Sequence, residues 1–176
     1  NNGNPTARQL SQIFDPANPF ANRDPRLEVN VLHDGEVMYG TTIKVAPLAS
    51  SGNTGIGCHT DATETGYYQQ KWLDPAIDPA STGWDMGKDY VLIRYAEVLL
   101  TYAEAMNNLN PLCQEAFDAV NKVRARVGMP ALQKTDASKP TYCGTQADLL
   151  KRIKNEWRVE FALEGDIRKW NLRRWG

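Results

Sequence analysis

Long hydrophobic runs are missing from this sequence. No stretch approaches ~18 consecutive apolar residues, so no membrane-spanning helix is expected. An excess of one charge is missing too: 20 Lys and Arg stand against 21 Asp and Glu, a formal net charge of -1. That balance supplies no overall pull toward nucleic acid or an anionic membrane. Histidine is scarce, with two residues, His33 and His59. HExxH, a Walker loop and GxGxxG are all lacking. Of the three cysteines, Cys58, Cys113 and Cys143, no spacing matches a zinc pattern. The count fits one disulfide with a free thiol, or three reduced thiols. The start, NNGNPTARQL, has neither a basic nor an apolar region, so a signal peptide is expected to be absent or already removed.

What is present divides near residue 90. Residues 1–89 are rich in Asn, Pro, Asp and Gly and read as loops with short strands. Leu27, Val29 and Val31 alternate with polar residues ahead of Asp34-Gly35. The pattern predicts a β-hairpin on a type I′ turn there. GYYQQKWL predicts another short strand. Residues 49–66 and 74–89 read as long loops.

Residues 90–176 are helical in pattern. In YVLIRYAEVLLTYAEAMNNL, Leu92, Tyr95, Ala96, Leu99, Tyr102, Ala103, Met106 and Leu109 recur at helical spacing and predict one apolar face. Asn107, Asn108 and Asn110 with Pro111 end it. A second helix, QEAFDAVNKVRARVGMP, gathers Ala116, Phe117, Val120, Val123 and Val127, with Gly128 at its left-handed exit. A short turn and small residues between them give the design of a tetratricopeptide-like hairpin. A lone unit of that kind cannot bury both faces. A third helix, TQADLLKRIKNEWRVEFALEG, is expected to start on a capping box at Thr145 and Asp148 and stop at Gly165, followed by a tail. Leu149, Leu150, Ile153, Trp157 and Phe161 form its stripe. The expected fold is mainly α: a helical hairpin plus a C-terminal helix, with long loops and a small β-hairpin.

Candidate chemistry is thin. Glu156, Glu160 and Glu164 share one helix face, and paired carboxylates serve glycoside hydrolysis. Their neighbours, Arg152, Arg158, Arg168, Arg173 and Arg174, predict a structural ion-pair network instead. Nothing in the sequence marks one carboxyl for the raised pKa an acid catalyst needs. His59 adjoins Cys58, but a nucleophile pair meets across space, and His33 falls by the hairpin turn. Residues 146–176 hold eight basic and five acidic residues, a net of +3, which favours ion pairing over a phosphate track. DPAIDPASTGWD has oxygen donors but lacks the alternate-residue rhythm of a calcium loop. No cofactor, metal or nucleic acid is expected.

The aromatics carry more. Tyr39, Tyr67, Tyr68, Trp72 and Trp84 lie outside the main helices. Aromatic faces stack on the C–H faces of sugars, and rigid rings lose little entropy on binding. The competing reading is that these rings anchor loops to the core, where large aromatics usually sit. Trp84, between Gly83 and Asp85, is the first choice for a ligand contact. Trp157, Trp170 and Trp175 lie among arginines, where guanidinium stacks on indole.

Several blocks then fall in one order: RDPRL (23–27), TGYYQQKWL (65–73), IRYAEVLLTYAEAMN (93–107), EAFDAVNKVRARVGMP (115–130) and IKNEWRVEFALEG through NLRRWG (153–176). They resemble the C-terminal conserved region of the SusD/RagB family, surface lipoproteins of the starch-utilisation type in Bacteroidetes bacteria. The resemblance spans nearly the whole chain and is most specific in RYAEVLLTYAEA and AVNKVRARVG. Trp157 stands where that pattern favours arginine, and Asn171 where it favours aspartate. The resemblance implies a mostly helical, tetratricopeptide-like fold that captures nutrients, usually glycans and sometimes peptides. It implies no catalysis and a partner, a TonB-dependent, SusC-like outer-membrane transporter. It also implies a lipid anchor on an N-terminal cysteine that this chain lacks, and whole members that are much longer. Glycan capture is therefore the first expectation. A peptide-binding or docking module is the second, and a carbohydrate-cleaving enzyme a distant third.

Overall fold

The computed structural model describes residue 15 and residues 17–45, 62–77 and 89–176. Among them are five helices and four two-residue strands. The helices are α1 (Arg26–Asn30), α2 (Tyr95–Leu109), α3 (Gln114–Arg126), α4 (Gln146–Glu160) and α5 (Ile167–Trp175). The strands are β1 (Val31–Leu32), β2 (Val37–Met38), β3 (Thr41–Thr42) and β4 (Tyr68–Gln69). The chain divides into two compact units, one of residues 1–26 and 91–176, the other of residues 27–90.

The first unit is the helical one. α2 packs along both α3 and α4, around a core of Leu100, Phe117, Val120, Leu132, Leu149 and Ile153. Asn107 is fully buried at the end of α2 and fastens three segments. Its Nδ2 donates to the Gln146 carbonyl at 3.0 Å, its Oδ1 accepts from the Leu112 N–H at 3.2 Å, and its own carbonyl accepts from Gln146 Nε2 at 2.8 Å. A buried amide this well satisfied specifies the approach of the helices as well as stabilising them. α3 leaves through Gly128 at φ +70, the left-handed exit the sequence predicts.

Two expectations about α2 need correction. The helix begins at Tyr95, not Tyr90, and its N-cap is Arg94, whose side chain makes no cap bond. Its buried face is Leu100, Ala103, Glu104 and Asn107, whereas Tyr95, Tyr102 and Leu109 are exposed. Apolar residues make up more than half of the helix and two of its polar residues, Glu104 and Asn107, turn inward, so periodicity alone does not choose the inner face.

α4 starts as expected. The Thr145 hydroxyl accepts the Asp148 N–H at 3.1 Å, and Asp148 Oδ2 accepts the Thr145 N–H at 3.1 Å, a complete capping box. Thr145→Ala is expected to cost about 1 kcal/mol and to lower the melting temperature by roughly 2–4 °C, measurable by calorimetry.

The end of α4 differs from expectation. It stops at Glu160, and the presumed tail is a helix, α5. Leu163 at φ +62 and Gly165 at φ +47 reverse the chain between them. α5 is held by its own end. Arg174 donates to both Glu104 oxygens at 2.6 and 2.9 Å, and Trp175 Nε1 donates to Glu104 Oε1 at 3.0 Å. The expected guanidinium–indole stacking is present, with Arg174 5.1 Å from the Trp175 ring and Arg173 5.1 Å from the Trp170 ring. Trp157 instead packs into the core, 5.0 Å from Phe161.

The second unit holds the strands. β1 pairs antiparallel with β4, Val31 opposite Gln69 and Leu32 opposite Tyr68. β2 pairs antiparallel with β3, Val37 opposite Thr42 and Met38 opposite Thr41. Leu32, Met38 and Ile43 form its small core. The expected strand over Leu27–Val31 is instead α1 followed by β1. Asp24 Oδ1 accepts the Arg26 N–H at 3.0 Å and Pro25 follows it, an arrangement that starts a helix. The hairpin turn lies at Tyr39-Gly40, not Asp34-Gly35. Tyr39 at φ +48 and Gly40 at φ +74 give the two left-handed residues that a type I′ turn requires.

Candidate functional site

Two places concentrate chemistry-bearing side chains: the carboxylates of α4 and the aromatics of residues 27–90. At α4, Glu156 and Glu160 are almost fully buried, at 1 % relative exposure each. Arg26 Nη1 bridges them, donating to Glu156 Oε1 at 2.6 Å and Glu160 Oε2 at 2.8 Å. Arg124 Nη1 donates to Glu156 Oε2 at 2.8 Å. Arg126 Nη2 donates to both Glu160 oxygens at 2.9 Å. Arg94 grips Glu160 Oε1 at 2.6 Å and the two Glu164 oxygens at 2.7 and 2.9 Å, and lies 4.1 Å from the Phe161 ring. Asp24 completes the set by holding Arg26 at 2.6 Å.

This arrangement is a structural clamp, as the sequence predicts, but its cations differ from those expected. They come from Arg26, Arg94, Arg124 and Arg126, on other segments of the chain, rather than from arginines near in sequence. Burial pushes the Glu160 carboxyl up, yet hydrogen bonds from Arg94 and Arg26 together outweigh burial and hold it below the usual range. A general acid needs the opposite shift. Burial likewise raises the Cys143 thiol, which makes it a poor nucleophile. Cys113 and Cys143 are both free thiols, and Cys58 lies outside the described residues.

The five predicted ligand-binding aromatics separate. Tyr39 and Tyr68 pack against the Leu32, Met38 and Ile43 core, and the Tyr39 hydroxyl donates to the Asp74 carbonyl at 3.1 Å. Tyr67 is half exposed beside them in sequence. Gly66 sets its direction: φ is +74, and a Cβ there would meet Val45 Cβ at 2.9 Å. Trp72 has φ +81, an uncommon conformation for so bulky a residue, and such strain gathers at functional sites. Its indole stacks on Tyr90, ring centroids 5.7 Å apart and planes 23° apart, and Tyr90 is 67 % exposed. Trp84, with His59 and the sequence DPAIDPASTGWD beyond Ile77, lies outside the described residues.

Sequence reasoning missed Tyr90 because it counted that residue into α2. The run Tyr90–Ile93 is rich in β-branched and aromatic residues, and that bias was the available signal for extended chain. It missed Arg26 and Arg94 as clamp residues for another reason: both act across long sequence separations. Their place in the blocks RDPRL and IRYAE was the only hint.

The ion-clamped helical hairpin of one unit and the short strands of the other give a mainly α, tetratricopeptide-like fold. The chain belongs to the SusD family, whose family model matches residues 1–176. It is 33% identical over 92 residues to the SusD-like protein P2 of Formosa agariphila, an alignment covering 51% of this chain and 17% of that protein. A crystal structure of a SusD-like carbohydrate binding protein from Bacteroides fragilis superposes with TM-score 0.73 at 30% identity, covering 93% of this chain and 31% of that one. A second SusD-like protein from that organism superposes with TM-score 0.62 at 27% identity, covering 87% of this chain and 29% of that one. The chain therefore spans less than a third of the length of these relatives. No helix among the described residues is long and apolar enough to cross a membrane.

Proposed function

We propose that this chain is part of a glycan-capture protein at the bacterial cell surface. In the whole protein a lipid anchor holds it to the outer membrane, and it delivers its ligand to a TonB-dependent, SusC-like transporter. The observation that carries the reading is membership of the SusD family, together with the likeness to a protein described as carbohydrate binding. Trp72, at φ +81 and stacked on exposed Tyr90, is the aromatic chemistry that would meet a sugar. Tyr67 and Trp84 are proposed to add further rings, while Tyr39 and Tyr68 pack on the Leu32, Met38 and Ile43 core. No bond is broken: the paired carboxylates are committed to arginines and serve the fold.

Affinity electrophoresis against a panel of polysaccharides tests this directly. Retardation by at least one polymer, with no release of reducing ends from it, is the expected result. Release of sugar ends, or migration unchanged by every polymer, contradicts the reading.

A second reading, a protein- or peptide-docking role in the same uptake complex, is favoured by one observation. Leu92, Tyr95, Val98 and Tyr102 are exposed in succession along the start of the hairpin, at 81, 67, 54 and 47 %. Peptide binding abolished by Tyr95→Glu, with glycan retardation unchanged, would support it.

A further inference from the structure

The turn after β1 gathers three metal-ligand side chains that the capture reading does not use. Glu28 on α1, His33 after β1 and Glu36 before β2 each offer one ligand atom, and these atoms all lie within 4.8 Å of one another. His33 Nε2 is 3.5 Å from Glu28 Oε2 and 3.8 Å from Glu36 Oε1. Ligands bound at zinc's usual bond lengths around a tetrahedron stand roughly 3.3 Å apart. The two separations from Nε2 exceed such an edge by about 0.2 and 0.5 Å, and the three atoms would have to draw together slightly around an ion.

The imidazole is fixed as a metal ligand's would be. His33 is 6 % exposed. Its Nδ1 lies 3.2 Å from the Asp34 carbonyl, which can only accept, so the hydrogen resides on Nδ1. Nε2 then turns a lone pair, or a second proton, toward two carboxylates. A backbone carbonyl on the far ring nitrogen is the usual partner of a metal-bound histidine. Glu36 is fixed as well. Its Oε2 accepts the His33 N–H at 2.8 Å, which leaves Oε1 turned to the imidazole. Two carboxylates brought so close repel unless a positive charge lies between them.

We propose that Glu28, His33 and Glu36 form a structural site for a divalent transition ion of the zinc class, with water completing the coordination. The imidazole ligand disfavours calcium and magnesium, which take oxygen. The ion would tie α1 to the turn between β1 and β2. β1 pairs with β4, and Trp72 follows three residues after Gln69, so the site braces the ladder that leads into Trp72. The spacing Glu-x4-His-x2-Glu matches no familiar zinc pattern, and the sequence alone predicts no metal here.

The test uses tag-free protein stripped with a chelator. Zinc chloride is titrated by calorimetry, and the imidazole nitrogens of the two histidines are followed by NMR. The expected result is one zinc per chain, with the shift confined to His33. Glu28→Gln, at a half-exposed side chain that the fold does not need, weakens binding at least about tenfold. His33→Gln abolishes it, and calcium fails to compete. Zinc binding that neither substitution changes, a His33 signal that titrates with protons identically with and without zinc, or no binding at all overturns the proposal.

Discussion

Glu160→Ala is expected to destabilise the helical unit by about 3–5 kcal/mol, the cost of removing one partner from a buried ion-pair network. The melting temperature should fall by roughly 6–20 °C. The reason is the number of segments that meet at one carboxylate. Arg26, Arg94 and Arg126 all donate to Glu160, whose side chain is wholly inaccessible. Removing it leaves Arg26, at 4 % side-chain exposure, with Asp24 and Glu156, and Arg94, at 27 %, with Glu164, so each buried cation loses one of its carboxylates. Arg126 is mostly solvated and contributes little to the loss. Glu160→Gln keeps the shape and loses the charge, so it should fall between wild type and alanine. Acid should act on the same group. Its folded-state pKa lies below the ordinary value of about 4.5, so its stabilisation is fully present above that pH and is lost as pH falls through the lower folded-state value. Burial pushes the Asp24 carboxyl up, but hydrogen bonds from Arg26 outweigh it and hold it below its usual range, so Asp24 also loses stabilisation in acid. Melting curves of Glu160→Gln should therefore depend less on pH below about 4.5 than those of wild type. Equal pH dependence in the two proteins would remove Glu160 from the clamp.

Trp72→Ala is expected to weaken binding of whichever glycan retards the protein by about 1–3 kcal/mol, by analogy with the stacking of bases on aromatic rings. That is roughly 5- to 150-fold in the dissociation constant. Alanine keeps a Cβ and with it the strain of φ +81, but Trp72 belongs to neither hydrophobic core, so stability should change little. Affinity gels and melting curves on the same samples separate the two effects. Trp72→Phe, which retains a stacking face, should recover much of the affinity. Trp84→Ala, read from sequence alone, is expected to cost a similar amount if that ring stacks by itself on a sugar. An unchanged affinity in either alanine variant removes that ring from the ligand contact.

The helices were legible because local signals mark them. The capping box at Thr145 and Asp148, Gly128 after α3 and the stripe from Leu149 to Phe161 each act within a few residues. Signals that depend on distant partners were not legible. The inner face of α2 is decided by what covers it, and Glu104 and Asn107 are buried there because Arg174, Trp175 and Gln146 reach them. α5 looked like a tail because its charge hides a helix held by the Glu104 carboxylate and by Ile167 and Trp175 against the core. The hairpin turn was misplaced because Asp-Gly is the stronger local signal, whereas Tyr39-Gly40 forms a turn only with the small core holding Tyr39. Among the aromatics, composition named candidates; of those described, Tyr39 and Tyr68 pack on the small core, Tyr67 is exposed and Trp72 stacks on Tyr90.

The account separates a clamped helical scaffold from the aromatics of residues 27–90 that would meet the ligand. Quantitative affinity electrophoresis of Trp72→Ala beside Thr145→Ala, on one retarding polysaccharide, tests that separation most directly. Trp72→Ala should lose most of its retardation while its melting temperature holds. Thr145→Ala should melt earlier and be retarded like wild type. Full retardation of Trp72→Ala, with retardation lost in a folded Thr145→Ala, would contradict the account.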